Sequence, residues 1–131
     1  MAHQFGTTVR NNMATQLTTA LASGSIKLFS GSVPANCAAA DPAGLLASGN
    51  LPATAATNTG GVVSRSGTWS FTGSAAGNIA SFRLYDSGGT CIHQGTVTAT
   101  GGGGDMTVDN INIANGQTGS VTGYATTIGG A

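Results

Sequence analysis

Two cysteines and two histidines are the side chains of this sequence best suited to bind a metal or to carry redox chemistry. Cys37 and Cys91 lie far apart and match no zinc-site or Cys-x-x-Cys spacing. A metal site built on His3 and His93 would need a third ligand, and the sequence marks none. For a chain made in a reducing cytoplasm we expect two half-buried thiols, with a Cys37–Cys91 disulfide as the alternative. No metal or other cofactor is predicted.

The glycine tract at residues 101–104, followed by Asp105, is the second candidate for chemistry. A phosphate-binding loop needs a Lys and a Ser or Thr that open a helix, whereas these glycines lead into a strand-like stretch. A calcium loop needs alternating acidic ligands, and only Asp105 and Asp109 are nearby. The tract is therefore predicted to be the flexible tip of a hairpin.

The remaining carboxylates also fall in turns. Asp41 and Asp86, like Asp105 and Asp109, are followed or surrounded by turn-forming residues, where Asp characteristically bonds to its own backbone. No nucleophile stands beside a base and no carboxylates are paired for acid–base work. The sequence predicts a protein that is not an enzyme.

Charge is scarce in this chain. Charged residues make up 6% of the 131 positions and the net charge is zero, whereas ordinary soluble domains carry about 25% charged residues. The four basic residues, Arg10, Lys27, Arg65 and Arg83, are scattered and form no stripe that would bind nucleic acid or anionic lipid. No apolar run is long enough to cross a bilayer, and residues 1–12 lack the apolar core of a signal peptide. We therefore expect synthesis in a cytoplasm, without membrane or nucleic-acid partners.

The rest of the chain is expected to be organised around a hairpin within residues 78–108. Phe82 and Leu84 alternate with Arg83 and Tyr85, which is typical of a strand with one buried face. Residues 86–89, Asp-Ser-Gly-Gly, reverse the chain, and residues 90–100 return as the second strand. A second hairpin is predicted to follow through the glycine tract.

One helix is predicted before these strands, over residues 7–23. Thr7 or Thr8 caps it and Gly24 ends it. Its apolar stripe should lie on the sheet, with packing against a neighbouring subunit as the alternative. The stripe recurs every four residues, at Val9, Met13, Leu17 and Leu21.

Other strands are predicted at residues 25–29, 62–71 and 118–126, with Trp69 as a core anchor. Turns are expected at residues 109–110 and 115–116, and a loose end at residues 129–131. The total of about seven or eight short strands, with turns every eight to twelve residues, is typical of an antiparallel β-sandwich. We predict a single mainly β domain over residues 1–131, jelly-roll-like or immunoglobulin-like, with one N-terminal helix.

A long connection is predicted at residues 35–59, holding one short edge strand at residues 45–48 between Pro42 and Pro52. Its three leucines, Leu45, Leu46 and Leu51, need cover. We expect a neighbouring copy or partner to supply it, in a dimer or trimer, with burial inside the same subunit as the alternative. Arg83 and Tyr85, on the solvent face of the hairpin, are the other expected partner contacts, because Arg and Tyr are enriched at interface hot spots.

The order of features resembles a family of small proteins from the structural modules of tailed bacteriophages. The residues that carry the resemblance are SIKLFSGSVPA, AGLLASGNLP, IASFRLYDSGGTCIHQGTV and GGDMTVDNINIANGQTGSVTGY. They are similar to a strand-Gly-x-x-Pro segment, an Arg-x-x-Asp-x-x-Gly hairpin and an Asp-Met-x-x-Asp-Asn segment that recur in this order. Together they span most of the chain.

The resemblance implies a virion structural protein, in particular a β-sandwich head decoration or cement protein. Its partners would be the major capsid protein and its own copies, and it would be assembled in the host cytoplasm. The resemblance supplies no catalytic residue. A tail, collar or fibre component is the alternative within the particle, and a carbohydrate-binding module that uses Trp69, Tyr85 and Tyr124 is an alternative outside it.

Overall fold

A computed structural model of the chain describes residues 5–127. Within that range there are one α-helix and eleven β-strands. The helix α1 spans Thr7–Leu21, and the strands are β1 Ser25–Phe29, β2 Leu45–Asn50, β3 Ala56–Thr59, β4 Val62–Arg65, β5 Ser70–Gly73, β6 Gly77–Asn78, β7 Ser81–Tyr85, β8 Cys91–Ala99, β9 Met106–Val108, β10 Asn112–Ile113 and β11 Thr118–Thr127. The prediction of a mainly β chain with one N-terminal helix is confirmed. His3 and the expected loose end at residues 129–131 lie outside the described range.

Helix α1 is shorter than predicted and begins without a side-chain cap. Gly6 holds the N-cap position and Thr7 is already helical, so neither threonine caps the helix. The chain leaves it through Ser23, whose φ is +54°, and the N–H of Gly24 donates to the carbonyl of Leu21. The helix packs chiefly on β3 and β4. Leu21 is fully buried, while Val9 at the other end of the stripe is 48% exposed, so only the C-terminal part of the stripe is covered.

The predicted strand at residues 62–71 is divided into β4 and β5. Both segments pair with β11, but the seven residues from Ser64 to Ser70 face only the six residues from Ala125 to Ser120. The extra residue makes a bulge, and Gly67 takes the left-handed φ of +68° within it. The bulge therefore divides the predicted strand into β5, which belongs to the barrel, and β4, which extends the sheet beyond it.

Seven strands close into a barrel. Its order is β1, β2, β5, β11, β9, β8 and β7, which returns to β1. The ten residues of β11 close the ring, because they pair in turn with β5, β9 and β4. The predicted two-sheet sandwich is not confirmed, since hydrogen bonds run continuously around the ring. Strands β3 and β4 extend it, and β6 pairs separately with β10.

The second predicted hairpin is wrong. Strand β9 runs parallel to β8, with Val97 opposite Met106 and Ala99 opposite Val108. Residues 100–105 bring the chain back, and Gly101 and Gly103 adopt φ values of +86° and +82° that other residues rarely reach. Parallel neighbours normally need about a dozen connecting residues. Here the return is shorter because only three residue pairs are matched.

The core fills the barrel and the space beneath α1. Trp69 is fully buried, its ring centroid lies 5.0 Å from that of Tyr124, and its Nε1 donates to the carbonyl of Ala55 at 2.8 Å. Its prediction as a core anchor is confirmed. His93 shares a 2.7 Å hydrogen bond with the Tyr124 hydroxyl, and burial lowers the pKa of its imidazole although Asp105 opposes the shift.

Strand β2 occupies a central place that the sequence did not suggest. It lies between β1 and β5 rather than at an edge, and Pro42 and Pro52 flank it without interrupting its ladder. Leu46 and Leu51 are 4% and 5% exposed and belong to the chain's own core. The expectation that a partner covers these two leucines is therefore wrong. Leu45, whose side chain points outward, is 41% exposed.

Substituting the adjacent leucines separately should expose this difference. Leu46→Ala should lower the free energy of unfolding by about 2–5 kcal/mol, because it leaves a cavity. Leu45→Ala should change it by less than about 0.5 kcal/mol, as a surface substitution does. Urea unfolding followed by Trp69 fluorescence measures both. Equal costs would contradict the placement of β2.

Candidate interaction surface

Arg83 and Tyr85 lie on the outer face of the barrel but are not exposed. They are 2% and 5% accessible because residues 30–44, which join β1 to β2, fold over them. We call this segment the clamped loop. The alternation along β7 gave the right face of the strand. The prediction that this face meets solvent is wrong, since periodicity does not reveal what a distant loop covers.

The guanidinium of Arg83 holds the clamped loop by three hydrogen bonds. Nη2 donates to the Asn36 carbonyl, and Nη1 donates to the Ala39 carbonyl and to the Asp41 carboxylate, each at 3.0 Å. On the barrel side Nε donates to Oε1 of Gln94 at 3.1 Å. A buried charge is tolerated only when it is paired and hydrogen-bonded, and the loop meets that requirement.

Asp41 completes the charge balance. Lys27 and Arg83 are directly opposite each other across β1 and β7, an arrangement of like charges that alone would be destabilising. The Asp41 carboxylate lies 3.0 Å from Arg83 and 3.5 Å from Lys27, and it accepts a 2.5 Å bond from the Tyr85 hydroxyl. That hydroxyl bond, with the two cations, lowers the pKa of Asp41. Burial and the same carboxylate raise the pKa of Tyr85.

Two further hydrogen bonds fasten the start of the loop. Nε2 of Gln94 donates to the Pro34 carbonyl and the Ser81 hydroxyl donates to the Gly31 carbonyl, both at 2.7 Å. Backbone bonds at Ser30 and Gly31 join the two ends of the loop to each other. The loop is thus fixed along its length by side chains of β7 and β8.

A disulfide joins Cys37 of the loop to Cys91 at the start of β8. The expectation of two free thiols is therefore wrong. The Cα atoms are 5.4 Å apart, a usual separation for a bonded pair. The bond spans 54 positions, and closing a loop of that length is worth about 4 kcal/mol by the chain-entropy model. The sequence spacing gave no sign of the pairing because the fold alone brings the two together.

The outward side of the clamped loop consists mainly of small side chains, together with Asn36 and the partly exposed carboxylate of Asp41. Its exposed methyl groups belong to Ala35, Ala38, Ala40 and Ala43, and the adjoining Leu45 is the one large apolar side chain beside them. Of the five predicted contact residues only Leu45 is exposed. Arg83 and Tyr85 support the surface from beneath, and Leu46 and Leu51 lie in the core.

Sequence reasoning did not predict that Asp41, Gln94 and Lys27 come together beside Arg83. The usable signal was the pairing of Lys27 with Arg83, since two opposed cations require a carboxylate between them. That signal appears only when the register of β1 on β7 is known.

A shallow polar groove of about 610 Å³ lies beyond Lys27 on the outer faces of β1, β2 and β5. Its lining is neutral apart from that lysine and includes Ser25, Ser48, Asn50, Ser70 and Thr72. The groove presents hydroxyl and amide groups without an exposed aromatic side chain. Trp69, Tyr85 and Tyr124, the aromatics considered for sugar stacking, are all 5% exposed or less.

The other carboxylates also accept from backbone N–H groups, but only Asp86 does so within its own turn as predicted, while Asp105 and Asp109 accept from strand residues nine and eleven positions away. Asp86 accepts from the N–H groups of Gly88 and Thr90 at 2.9 Å, and Asp105 accepts from that of Thr96 at 3.0 Å. Nowhere in residues 5–127 do three or more His, Cys, Asp or Glu side chains converge as a metal site would require. Nor does that range contain a helix long and apolar enough to cross a membrane.

Comparison with protein-family models, with curated proteins and with solved structures finds no match.

The pH dependence of stability should report on Asp41. Because the folded state lowers its pKa from 3.8, Asp41 stabilises the fold above that pH, and the contribution is lost as the pH falls through the lowered value. The difference in unfolding free energy between the unchanged protein and Asp41→Asn should therefore be largest above pH ~5 and shrink toward pH ~2. Urea titrations across this range measure it, and a difference independent of pH would contradict the ionic role.

Proposed function

We propose that this chain is a non-enzymatic structural protein of a tailed-bacteriophage particle, where it binds the head shell as a decoration or cement protein. The observation that carries the proposal is the clamped loop. An internal arginine and a disulfide fix it, and most of the side chains that it exposes are small. A surface that is rigid before binding loses little conformational entropy when it docks, which suits a permanent contact.

The residues of the phage-like motifs have architectural roles, which supports the proposal. Gly31 and Pro34 supply carbonyls that the barrel binds, and Arg83 clamps the loop. Gly89 takes a φ of +87° in the turn that Asp86 ties. Motifs that build a scaffold, rather than a reactive centre, are what a shell-binding protein requires.

The basic side chains have partners within the chain, which supports the absence of a nucleic-acid or membrane role. Arg10 donates to the Gly60 carbonyl at 2.7 Å and Arg65 to the Gly67 carbonyl at 2.6 Å. Arg83 is buried, and Lys27 is paired with Asp41. These cations are spread over the barrel and do not form the positive surface that polyanions need.

The proposed partners are the major capsid protein and further copies of the chain, as dimers or trimers. Leu45 and the exposed alanines of the clamped loop form the proposed contact, since burying small apolar groups allows close approach without desolvating charge. Cryo-electron microscopy of the particle distinguishes the head from a tail, collar or fibre position.

A bulky charge on the clamped loop should abolish this contact. Ala38→Arg places a guanidinium on the exposed side of the loop, whereas Ala125→Arg places the same group on β11 at an exposed position away from it. We expect Ala38→Arg to weaken binding by about tenfold or more, equivalent to about 1.4 kcal/mol, and Ala125→Arg to leave it unchanged. Co-sedimentation with heads from a phage lacking the gene measures both.

Three outcomes bear on the proposal differently. If purified virions lack the chain, the virion role fails. If the chain is present but only Ala125→Arg loses binding, the role stands and the proposed surface is wrong. If neither variant loses binding while circular dichroism shows both folded, the contact lies on another face.

A further inference from the structure

The Cys37–Cys91 bond joins two segments that other contacts already hold together. We propose that this pair is a redox latch: the clamped loop takes up its position with both thiols reduced, and a small-molecule disulfide then locks it covalently. The latch concerns the chain by itself and does not require that the chain bind a phage shell.

On the loop side, non-covalent anchors bracket Cys37. Gln94 holds the Pro34 carbonyl and Arg83 holds the Asn36 carbonyl just before the cysteine. Arg83 also donates to the Ala39 carbonyl and to the Asp41 carboxylate, both of which follow Cys37 in the sequence. The backbone at position 37 is therefore restrained from both directions without any covalent bond.

On the barrel side, the hairpin of β7 and β8 fixes Cys91. It is the first residue of β8 and pairs with Tyr85 across the ladder. The Asp86 carboxylate accepts from the Thr90 N–H at 2.9 Å. This bond fixes Thr90, the residue immediately before Cys91. Two restrained backbones with Cα atoms 5.4 Å apart keep the sulfur atoms within reach of each other.

Both cysteines are half-buried, so a small oxidant can reach the pair. With oxidised glutathione, one cysteine thiolate attacks the disulfide, forms a mixed disulfide and releases one glutathione thiolate. The second cysteine thiolate then attacks the mixed disulfide at the protein sulfur, which forms the Cys37–Cys91 bond and releases the second glutathione. The protein loses two electrons and two protons, and glutathione disulfide becomes two thiols.

In this order of events the disulfide forms on a loop that already occupies its folded position. The reduced chain folds with the loop already in place, because Arg83 needs the loop carbonyls whether or not sulfur is oxidised. Oxidation after release then adds a covalent restraint without moving the backbone. The loop is therefore held in place by hydrogen bonds before the disulfide forms.

Equilibration of the purified full chain in glutathione buffers tests this order. Alkylation of free thiols followed by mass spectrometry gives the ratio of oxidised to reduced chain, and hence the effective concentration of one thiol at the other. Arg83→Gln, which removes the charged anchor, should lower that effective concentration by about tenfold or more. Arg65→Gln is the matched control, since Arg65 also binds main-chain carbonyls but does not contact the loop. It should leave the value unchanged.

If Arg83→Gln fails to fold, Gln94→Ala replaces it. That variant removes the anchor at Pro34 and the acceptor of the Arg83 Nε, while Arg83 and Asp41 remain paired, and it should lower the effective concentration by a smaller factor. Equal values for the unchanged protein, the loop variants and Arg65→Gln would overturn the proposal.

The reduced state has its own test. An elastase-type protease, which prefers small residues such as alanine, should leave the clamped loop intact in the Cys37→Ser, Cys91→Ser double variant. The same variant carrying Arg83→Gln or Gln94→Ala should be cut within residues 35–43. Rapid cutting of the double variant alone would show that the bond, not the clamp, positions the loop, and would overturn the order proposed.

Discussion

The buried positive charge of Arg83 is the constraint on which the rest of this structure depends. The Arg83 guanidinium is almost inaccessible to water, so every donor it offers must find an acceptor within the chain. Those acceptors come from Asn36, Ala39, Asp41 and Gln94. The path of residues 30–44 across the barrel follows from that demand. Without it, a stretch of alanines, prolines and glycines would have little reason to keep one conformation.

The few charged side chains of this protein are partly clustered. Three of its eight charged side chains, from four basic and four acidic residues, meet at Lys27, Arg83 and Asp41. The remaining acidic side chains bind backbone N–H groups in turns and loops, as Asp86 does. A surface built in this way is held by hydrogen bonds beneath it and leaves mainly neutral groups outside.

Local signals predicted local structure well. The Asp86 turn, the strand β7 and the burial of Trp69 follow from short stretches of sequence, and the structure contains all three. What could not be predicted depends on contacts between distant segments. The cover over Arg83, the pairing of Cys37 with Cys91 and the parallel course of β9 all depend on where the chain returns. Arg83 and Tyr85 are not exposed contacts for that reason, because alternation identifies the face of a strand but not what lies on it. Leu46 and Leu51 lie in the core because β2 is a central strand and not an edge strand.

Strand β11 gives the barrel a particular order of events during synthesis. It is the last described strand to leave the ribosome, and it must pair with β5 and β9 before the ring is closed. Until then the growing chain has an open sheet with unpaired edges, which invite association with other chains. Contacts that span so much of the sequence also slow folding. Rapid completion of synthesis therefore shortens the time for which the nascent chain exposes unpaired sheet edges. A stop codon before β11 would leave an incomplete, aggregation-prone sheet rather than a smaller barrel.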